Sequence, residues 1–543
     1  MNNQYKLIVC LFLFFNLGSS ESNNLIVKTN WGLIKGFNQV FNGIEIKSYL
    51  GIPYGLPPVG PLRFAKPVGL HRNHFGVYHA NKFGPACLQT ELNGAIHAPN
   101  STISENCLFL NVWTPIDASP SNDVLYPVFV YIHGAAFIFG SASGSRSRGD
   151  VLTAHTNIVT VNLNHRLGAT GFAYGGSDSI VGNQAIHDVL LALKWIKSNI
   201  KAFGGDPDQV TLAGMSSGAI ISSAIFMSPA LDSKLFNKLV LMSGVPAEQT
   251  NTKDSVAMKT LTKSMSRSLK CSKYSKKNSS FDIRETICLK TVKSKLIADT
   301  IENSDFNLVH GDQYVFPTSP SQIINSKSFP SGYKILVGTE ADEALVKLKP
   351  NSIAEAIDGL SGLLKTANLT MTLNITDLAS EYFKGVNDSD ISTIRRKCND
   401  FISDFMFHCP SLLYSLAFAT NGANTVHFYR NDYVTSYFTK AARPYGAAHA
   451  DDHRMFLGEP FRSPEMYSDE NDQKLSQYMM NILADFVKGK ELFWSPIKVT
   501  GSQPDQISLP RWRIQNNETF NKVDQDDDRE ICLEWAKYLN LKI

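Results

Sequence analysis

Val210–Ile221 reads VTLAGMSSGAII and decides the fold of this chain. The β-prone run Val210–Ala213 and the apolar run Ala219–Ile221 flank a G-x-S-x-G pattern centred on Ser216. A serine on a sharp strand-to-helix turn has an exposed hydroxyl, close to helix N-terminal N–H groups that can stabilise an oxyanion. The outer glycines leave room for the tight turn. The pattern therefore predicts a nucleophilic serine, although an ordinary turn with two serines is the simpler interpretation of five residues alone.

Short apolar runs rich in β-branched residues alternate with helical patterns around this stretch. The candidate strands are Val128–Ile132, Ile158–Leu163, Val210–Ala213, Leu239–Met242, Ile335–Val337 and Val426–Phe428. Between the second and the third, apolar residues at helical spacing predict a helix over Gln184–Ile200. This alternation indicates an α/β fold, a mostly parallel sheet covered by helices. We expect residues 250–300 to form a surface excursion and the helical region 345–420 to cap the site. With no repeat or long linker, a single domain over residues 21–543 is favoured.

The composition is that of a globular protein. The chain has 543 residues, of which 43% are apolar and 19% charged, so it can bury a large core. Its formal net charge of +3 gives no indication of nucleic-acid binding. The basic stretch Lys259–Lys277 and the acidic run Asp524–Asp528 are interpreted as solvated surface rather than binding patches.

The N-terminus has the pattern of a secretory signal peptide. Lys6 precedes the apolar run Leu7–Phe15, which is too short to span a bilayer, and small residues follow it. We expect residues 1–20 to form the signal, with cleavage near Ser20. No later segment is apolar enough to span a membrane, and Leu539–Ile543 carries no anchor tail. The sequence therefore predicts a secreted, extracellular protein without a transmembrane anchor.

Cysteines and glycosylation sequons agree with export. Cys10 leaves with the signal, and seven of the eight cysteines remain, so at least one is unpaired within the chain. The N-x-S/T sequons are candidate glycosylation sites: Asn100, Asn278, Asn368, Asn374, Asn387 and Asn517.

Four motifs in the first half of the chain carry a family resemblance. They are Tyr49–Phe64 (YLGIPYGLPPVGPLRF), Ser104–Pro115 (SENCLFLNVWTP), Asn162–Gly168 (NLNHRLG) and Phe203–Pro207 (FGGDP). They resemble the signatures of type-B carboxylesterases, the cholinesterase-like α/β-hydrolases, and the resemblance extends from about Val27 to Leu539. It implies a single α/β-hydrolase domain with its site in a gorge above the sheet. Since fold alone does not give function, each site residue has to be considered separately.

The resemblance implies a catalytic triad of Ser216, Glu343 and His449. Gly446–Asp452 (GAAHADD) is similar to the family's glycine–histidine–acidic pattern, and Leu336–Ala344 (LVGTEADEA) to the pattern around its acid. The histidine accepts the serine proton, and the acid orients the imidazole and stabilises its charged form. The chain order serine, acid, histidine is that of an α/β-hydrolase.

Each triad member has a rival nearby. His453 fits the motif less well than His449, and Ser217 lies beside the central serine. Glu340 and Asp342 flank the acid, and we interpret them as surface charges or a local cap. Relatives commonly have an acidic or amide residue where this chain has Met215.

The oxyanion hole departs most from the family. His133–Phe137 reads HGAAF, where relatives show three glycines before the phenylalanine. The donors implied are the backbone N–H groups of Ala135, Ala136 and Ser217, so alanine does not delete them. If Ala135 requires a positive φ, its Cβ adds strain of about 1–2 kcal/mol. We expect an oxyanion hole that works but supports slower catalysis.

The same resemblance implies three disulfide bonds: Cys87–Cys107, Cys271–Cys288 and Cys409–Cys532. Cys398 is then the free thiol, either a small buried apolar residue or a partner in an intermolecular bridge.

The loop between Cys87 and Cys107 contains no tryptophan. In cholinesterases this loop carries the ring that binds choline, so its absence argues against acetylcholine. The region Phe306–Gly311, which resembles the acyl pocket, has mixed residues that do not indicate pocket size.

The predicted function is carboxylic-ester hydrolysis by two-step acyl transfer, on a small-molecule ester and with no metal or cofactor. One alternative is a catalytically weak member that binds or sequesters ester ligands or acts in adhesion. Another is a thioesterase or lipase activated at lipid surfaces. The sequence does not predict the oligomeric state.

Overall fold

A computed structural model gives the fold of most of the chain. It describes residues 25–70, 74–90, 101–274, 281–301, 305–344, 348–366, 375–420, 422–438, 445–501, 506–515, 520–525 and 529–542. The predicted signal peptide, residues 1–20, lies outside the described residues, as do five of the six sequons. Asn387 is described, and its side chain is exposed.

An eleven-stranded sheet organises the described part of the chain. In chain order its strands are β1 Phe37–Phe41, β2 Ile44–Pro53, β3 Phe109–Pro115, β4 Tyr126–Ile132, β5 Val159–Leu163, β6 Gly205–Met215, β7 Lys238–Met242, β8 Lys334–Glu340, β9 Thr425–Asn431, β10 Pro510–Ile514 and β11 Lys522–Gln525. Across the sheet the order is β11-β10-β9-β8-β7-β6-β4-β5-β3-β2-β1. Strands β4 to β10 pair in parallel, whereas β1, β2, β3 and β11 pair antiparallel at the two edges. The predicted α/β-hydrolase fold, with a mostly parallel sheet, is confirmed.

Helices cover both faces of this sheet. Within the described residues they are α1 Asp150–Thr156, α2 Gly168–Phe172, α3 Gln184–Asn199, α4 Ser217–Met227, α5 Ser255–Ser268, α6 Ile283–Thr291, α7 Ser294–Ile301, α8 Pro320–Ser326, α9 Ile353–Thr366, α10 Ile375–Tyr382, α11 Ile391–Ser403, α12 Cys409–Ala419, α13 Asp452–Phe456, α14 Glu459–Arg462, α15 Glu470–Val487 and α16 Arg529–Tyr538. A π-helical segment, Asp404–His408, joins α11 to α12.

Smaller strands lie outside the main sheet. They are Ile26–Thr29, Gly32–Lys35, Val77–His79, Tyr174–Ser177, Ile180–Val181, Thr252–Asp254, Leu308–His310, Lys498–Val499 and Ile507–Ser508.

The core follows the two-residue period of the strands. Along β4, Val128 and Val130 pack into one buried cluster, and Phe129 and Tyr131 pack into another on the opposite face. Successive side chains of a strand point to opposite faces, so a central strand with helices on both sides is apolar throughout. Helices α3 and α4 contribute to the first cluster and α15 to the second. This continuous apolarity made β4 to β9 recognisable in the sequence.

Three disulfide bonds join the pairs Cys87–Cys107, Cys271–Cys288 and Cys409–Cys532. They are the pairs that the resemblance implied. Cys398 is the free cysteine among the described residues and is buried. None of the helices in the described residues is long and apolar enough to cross a membrane.

Candidate active site

Ser216 lies on the tight turn between β6 and α4. Its backbone has φ 55° and ψ −126°, a conformation that non-glycine residues seldom adopt, and its N–H donates to Met242 O at 2.8 Å. The two flanking glycines are required by close backbone contacts. A Cβ at Gly214 would lie 2.3 Å from the Gly218 carbonyl carbon, and one at Gly218 would lie 2.2 Å from Ile132 O. The turn therefore holds its serine by packing that admits no side chain on either glycine.

Two hydrogen bonds connect Ser216 to a buried acid. His449 Nε2 lies 2.8 Å from Ser216 Oγ, and His449 Nδ1 lies 2.6 Å from Glu343 Oε2. A carboxylate can only accept, so Nδ1 carries the proton and Nε2 is free to accept one from the serine. The structure thus brings together the three residues that the sequence predicted as a triad.

Glu343 is fixed from its other side. Its side chain has no exposure, and Oε1 accepts hydrogen bonds from the Ser243 hydroxyl at 2.5 Å and from the Glu340 N–H at 2.7 Å. Ser243 directly follows β7 and has a φ of 52°. No sequence motif pointed to this residue, although its place at the carboxyl end of a parallel strand is where sites in such sheets form.

His449 is positioned by the backbone and by an aromatic ring. Its N–H donates to Asp342 O at 3.1 Å, and the Phe407 ring lies over its imidazole with the centroids 4.3 Å apart. Phe407 belongs to the π-helical segment Asp404–His408, and such segments frequently occur at functional sites.

The interpretation of Glu340 and Asp342 as surface charges is wrong. Glu340 is 1% exposed; it accepts from the Asp452 N–H at 2.6 Å and from Asn431 Nδ2 at 2.7 Å. Asp342 has no exposure and accepts a hydrogen bond from Asn399. Glu340 is the last residue of β8 and Asp342 lies in the loop after it, and backbone and amide groups donate to the two carboxyls. Neither takes the place of Glu343 beside His449.

Burial shapes the electrostatics behind the acid. Desolvation, reinforced by the adjacent carboxyl of Asp452, raises the pKa of Glu340 well above its ordinary value. Burial also raises the pKa of Asp452. Desolvation lowers the pKa of His453 well below its ordinary value, so this rival histidine is neutral, and its Nδ1 lies 2.6 Å from Ala450 O.

The loop after β4 is strained. Ala135, Ala136 and Phe137 have φ values of 86°, 54° and 66° in succession. Left-handed backbone costs a residue with a Cβ about 1–2 kcal/mol. The sequence predicted strain at Ala135 if this residue had a positive φ, and it does. Ala136 and Phe137 also have a positive φ and so carry the same strain. A Cβ at Gly134 would lie 2.5 Å from Met215 O, which brings this loop against the serine turn.

Ser216 opens into a cavity of about 490 Å³, which we call the serine chamber. Its lining residues include Ala136 and Ser217 from the predicted oxyanion hole, together with Phe306, Asn307 and Met406. Ser216, two residues of the predicted oxyanion hole and several apolar side chains thus line one space. This arrangement suits attack on a carbonyl carbon with a place for the resulting oxyanion.

The fold and this arrangement define an α/β-hydrolase. Comparison with known proteins narrows the class: the model of the Carboxylesterase family matches residues 23–531. The chain belongs to the carboxylesterase family and is a carboxylic-ester hydrolase.

Characterised relatives are similar along most of their length. Acetylcholinesterase-1 of Trittame loki is 31% identical, over 96% of this chain and 96% of the relative. Esterase E4 of Myzus persicae is 29% identical, over 97% and 98%. Carboxylesterase 1D of Rattus norvegicus is 30% identical, over 88% and 84%.

Proposed function

We propose that this chain is an exported serine carboxylesterase that works by two-step acyl transfer through Ser216, His449 and Glu343. The observation that carries the proposal is the hydrogen-bonded series from serine to imidazole to buried carboxylate, with distances of 2.8 Å and 2.6 Å. A nucleophile, a base within reach and a group that orients the base are what activation of a serine requires.

In the first step Ser216 Oγ attacks the ester carbonyl while His449 Nε2 accepts its proton. Glu343 stabilises the imidazolium that forms and keeps Nδ1 protonated. His449 then gives the proton to the leaving alcohol, and the acyl group stays on the serine. In the second step water attacks this acyl-enzyme while His449 accepts a proton from it, and His449 then returns that proton to Ser216 Oγ as the carboxylic acid leaves.

The N–H groups of Ala135, Ala136 and Ser217 hold the oxyanion in this proposal. Each such donor contributes about 3 kcal/mol to transition-state stabilisation. Support comes from Ala136 and Ser217, which line the serine chamber beside Ser216. The strained backbone at Ala135 and Ala136 orients these N–H groups before substrate arrives, at a cost in folding stability.

Export and a single-domain organisation belong to the same proposal. Three disulfide bonds fit an oxidising compartment, and the predicted signal at residues 1–20 supplies the route. The exposed Asn387 supports glycosylation at that sequon. One domain over residues 21–543 agrees with the single large sheet that strands from Phe37 to Gln525 form.

A pair of adjacent serines allows a sharp test. We expect Ser216→Ala to lose at least about a thousandfold in kcat for a short-chain 4-nitrophenyl ester, because the nucleophile is removed. Ser217→Ala is the matched control: it deletes a neighbouring hydroxyl and keeps the backbone N–H, so we expect most of the activity to remain. Equal rates for the wild type and Ser216→Ala would rule the proposal out.

One alternative function follows from the strained oxyanion loop: a protein that binds or sequesters ester ligands without hydrolysing them. Stoichiometric labelling of Ser216 by an organophosphonate, without hydrolysis of any ester tested, would favour that alternative. Rates that rise on adding lipid vesicles would instead indicate an esterase that acts at an interface.

A further inference from the structure

A separate cavity of about 550 Å³ lies at the other end of the sheet from the serine chamber. We call it the Lys47 cavity, after one of its lining residues. Ala118, in the loop before β4, and Phe203, shortly before β6, also line it, whereas Ser216 directly follows β6. The two cavities share none of their described lining residues, and the length of β6 separates them.

Two buried side chains of strand β2, Lys47 and Tyr49, line this cavity. They are two residues apart, so both lie on the same face of the strand, with their Cα atoms about 7 Å apart. Lys47 is 3% exposed and Tyr49 is 1% exposed. Thr114, which pairs with Lys47 across β2 and β3, lines the same space. The cavity is therefore bordered by a buried amine and a buried phenol.

The amine of Lys47 is only partly satisfied. Its Nζ donates to Ala118 O at 2.9 Å, and an ammonium has three donors. Desolvation lowers the pKa of Lys47; Asp117 acts in the opposite direction but forms no ion pair with it in the described part of the chain. Both carboxylate oxygens of Asp117 accept from the Tyr126 hydroxyl instead, at 2.9 Å and 2.8 Å. A buried charge without a counter-ion is costly, and an anion in the cavity would offset that cost.

The hydroxyl of Tyr49 has no hydrogen-bond partner among the described residues. It is also not one of the unpartnered polar atoms that are sealed from solvent, so it retains accessible surface. Because Tyr49 is otherwise buried, that surface faces the cavity that the residue lines. Burial raises the pKa of Tyr49, so the group is an O–H donor at neutral pH. A second donor is thus available to a ligand on the same face as Lys47.

The remaining walls favour a ligand with one anionic end and an apolar body. No aspartate or glutamate occurs among the described lining residues, and the exposed Lys28 adds positive charge. The volume lies within the range of about 300–1,000 Å³ that is usual for small-molecule sites. Apolar side chains form much of the rest of the lining: Ile26, Val27, Pro120, Ala202 and Phe203.

We propose that the Lys47 cavity binds an organic carboxylate with an apolar body, and that Lys47 Nζ and the Tyr49 hydroxyl donate to its carboxylate. The inference goes beyond the proposed ester hydrolysis and does not depend on Ser216. A carboxylate accepts hydrogen bonds only, and its single charge matches the one buried lysine of the cavity. A primary amide of the same shape lacks this charge, and acetate lacks the apolar body.

The test is calorimetry with octanoate, octanamide and acetate as probes. We expect octanoate to bind about tenfold more tightly than octanamide, because a hydrogen bond to a charged group is stronger than a neutral one. Acetate should bind more weakly than octanoate, because it leaves the apolar walls uncovered.

Variants assign the binding to the cavity. Lys47→Met removes the charge, and we expect the Kd of octanoate to rise about tenfold while that of octanamide changes little. Tyr49→Phe removes only a hydroxyl without a protein partner, so the fold is kept, and the Kd of octanoate should rise about threefold. Lys194→Met removes an exposed lysine of α3 outside the cavity and should leave both Kd values unchanged.

The serine chamber is the rival location for octanoate, and the variants distinguish the two. Octanoate bound there would compete with ester substrates, and its Kd would be the same in the wild type, Lys47→Met and Tyr49→Phe. That result overturns the inference, as does octanoate that binds no more tightly than octanamide or does not bind at millimolar concentration. If Lys47→Met fails to fold, Tyr49→Phe decides. A protein that hydrolyses no ester contradicts the proposed function and leaves these comparisons of Kd intact.

Discussion

The turn that carries Ser216 and the loop that carries Ala135 meet in one chamber, yet they are built in opposite ways. In the serine turn the crowded positions are glycines, and one residue, Ser216, takes a positive φ between them. In the loop three consecutive residues with a Cβ take positive φ. Crowding forbids a side chain outright, whereas an unfavourable φ only costs energy, so the loop tolerates alanine where the turn cannot.

The first way to break this comparison is to place a Cβ in the serine turn. We expect Gly218→Ala to lower the free energy of unfolding by several kcal/mol or to prevent folding, because the new Cβ would lie 2.2 Å from Ile132 O, a backbone atom. Chemical denaturation followed by circular dichroism measures the loss. Gly362→Ala in α9 is the matched control, since a Cβ there meets nothing within 4 Å. A Gly218→Ala protein as stable as that control would show that crowding does not hold the turn.

The acid of the triad differs from both the turn and the loop in having buried carboxyls behind it. The raised pKa of Glu340 means that the folded protein keeps a proton that the unfolded chain loses above its ordinary pKa of 4.5. This contribution to stability is complete below pH 4.5 and is lost as pH rises toward the folded pKa. The free energy of unfolding of Glu340→Gln should therefore rise relative to that of the wild type, by up to about 1.4 kcal/mol for each pH unit above pH 4.5.

Denaturation at several pH values checks this prediction, with Glu45→Gln as the control for an exposed carboxylate. A difference between Glu340→Gln and the wild type that does not change with pH would contradict it.

The smallest expected effect relieves strain in the loop. Ala135→Gly removes the Cβ at φ 86°, and we expect the unfolding free energy to rise by about 1 kcal/mol, since glycine adopts this conformation freely. Ala192→Gly in α3 should lower the unfolding free energy by about 1 kcal/mol, because glycine has a lower helix propensity than alanine. Thermal unfolding compares the two. A loss of stability in both variants would mean that Ala135 is not strained.

Much of this molecule could be predicted from the sequence, and the omissions have physical reasons. Strands β4 to β9 are buried on both faces and read as apolar runs. The edge strand β1, FNQVF, is half-exposed, and β10 begins with a proline and contains two arginines, one of them the buried Arg511, which pairs with Asp524. Such strands lack an apolar signal.

The candidate site shows the same division. Motif order identified Ser216, Glu343 and His449, and His449 lies within hydrogen-bond distance of both of the others. Ser243 and Phe407 were missed because their contacts with Glu343 and His449 arise only when distant segments meet. Glu340 and Asp342 were misplaced because a charged residue is usually exposed, and no sequence pattern announces the donors that bury these two.

The most direct test of Ser216 as the nucleophile is a pre-steady-state burst. Purified protein is mixed rapidly with a short-chain 4-nitrophenyl ester, and nitrophenolate release is followed in the wild type, Ser216→Ala and Ser217→Ala. Two-step acyl transfer predicts a burst approaching one nitrophenolate per molecule wherever deacylation is the slower step, with the acyl group on the peptide that contains Ser216 by mass spectrometry. The burst should persist in Ser217→Ala and be absent from Ser216→Ala. An undiminished burst in Ser216→Ala, or an acyl group on another residue, would contradict the account.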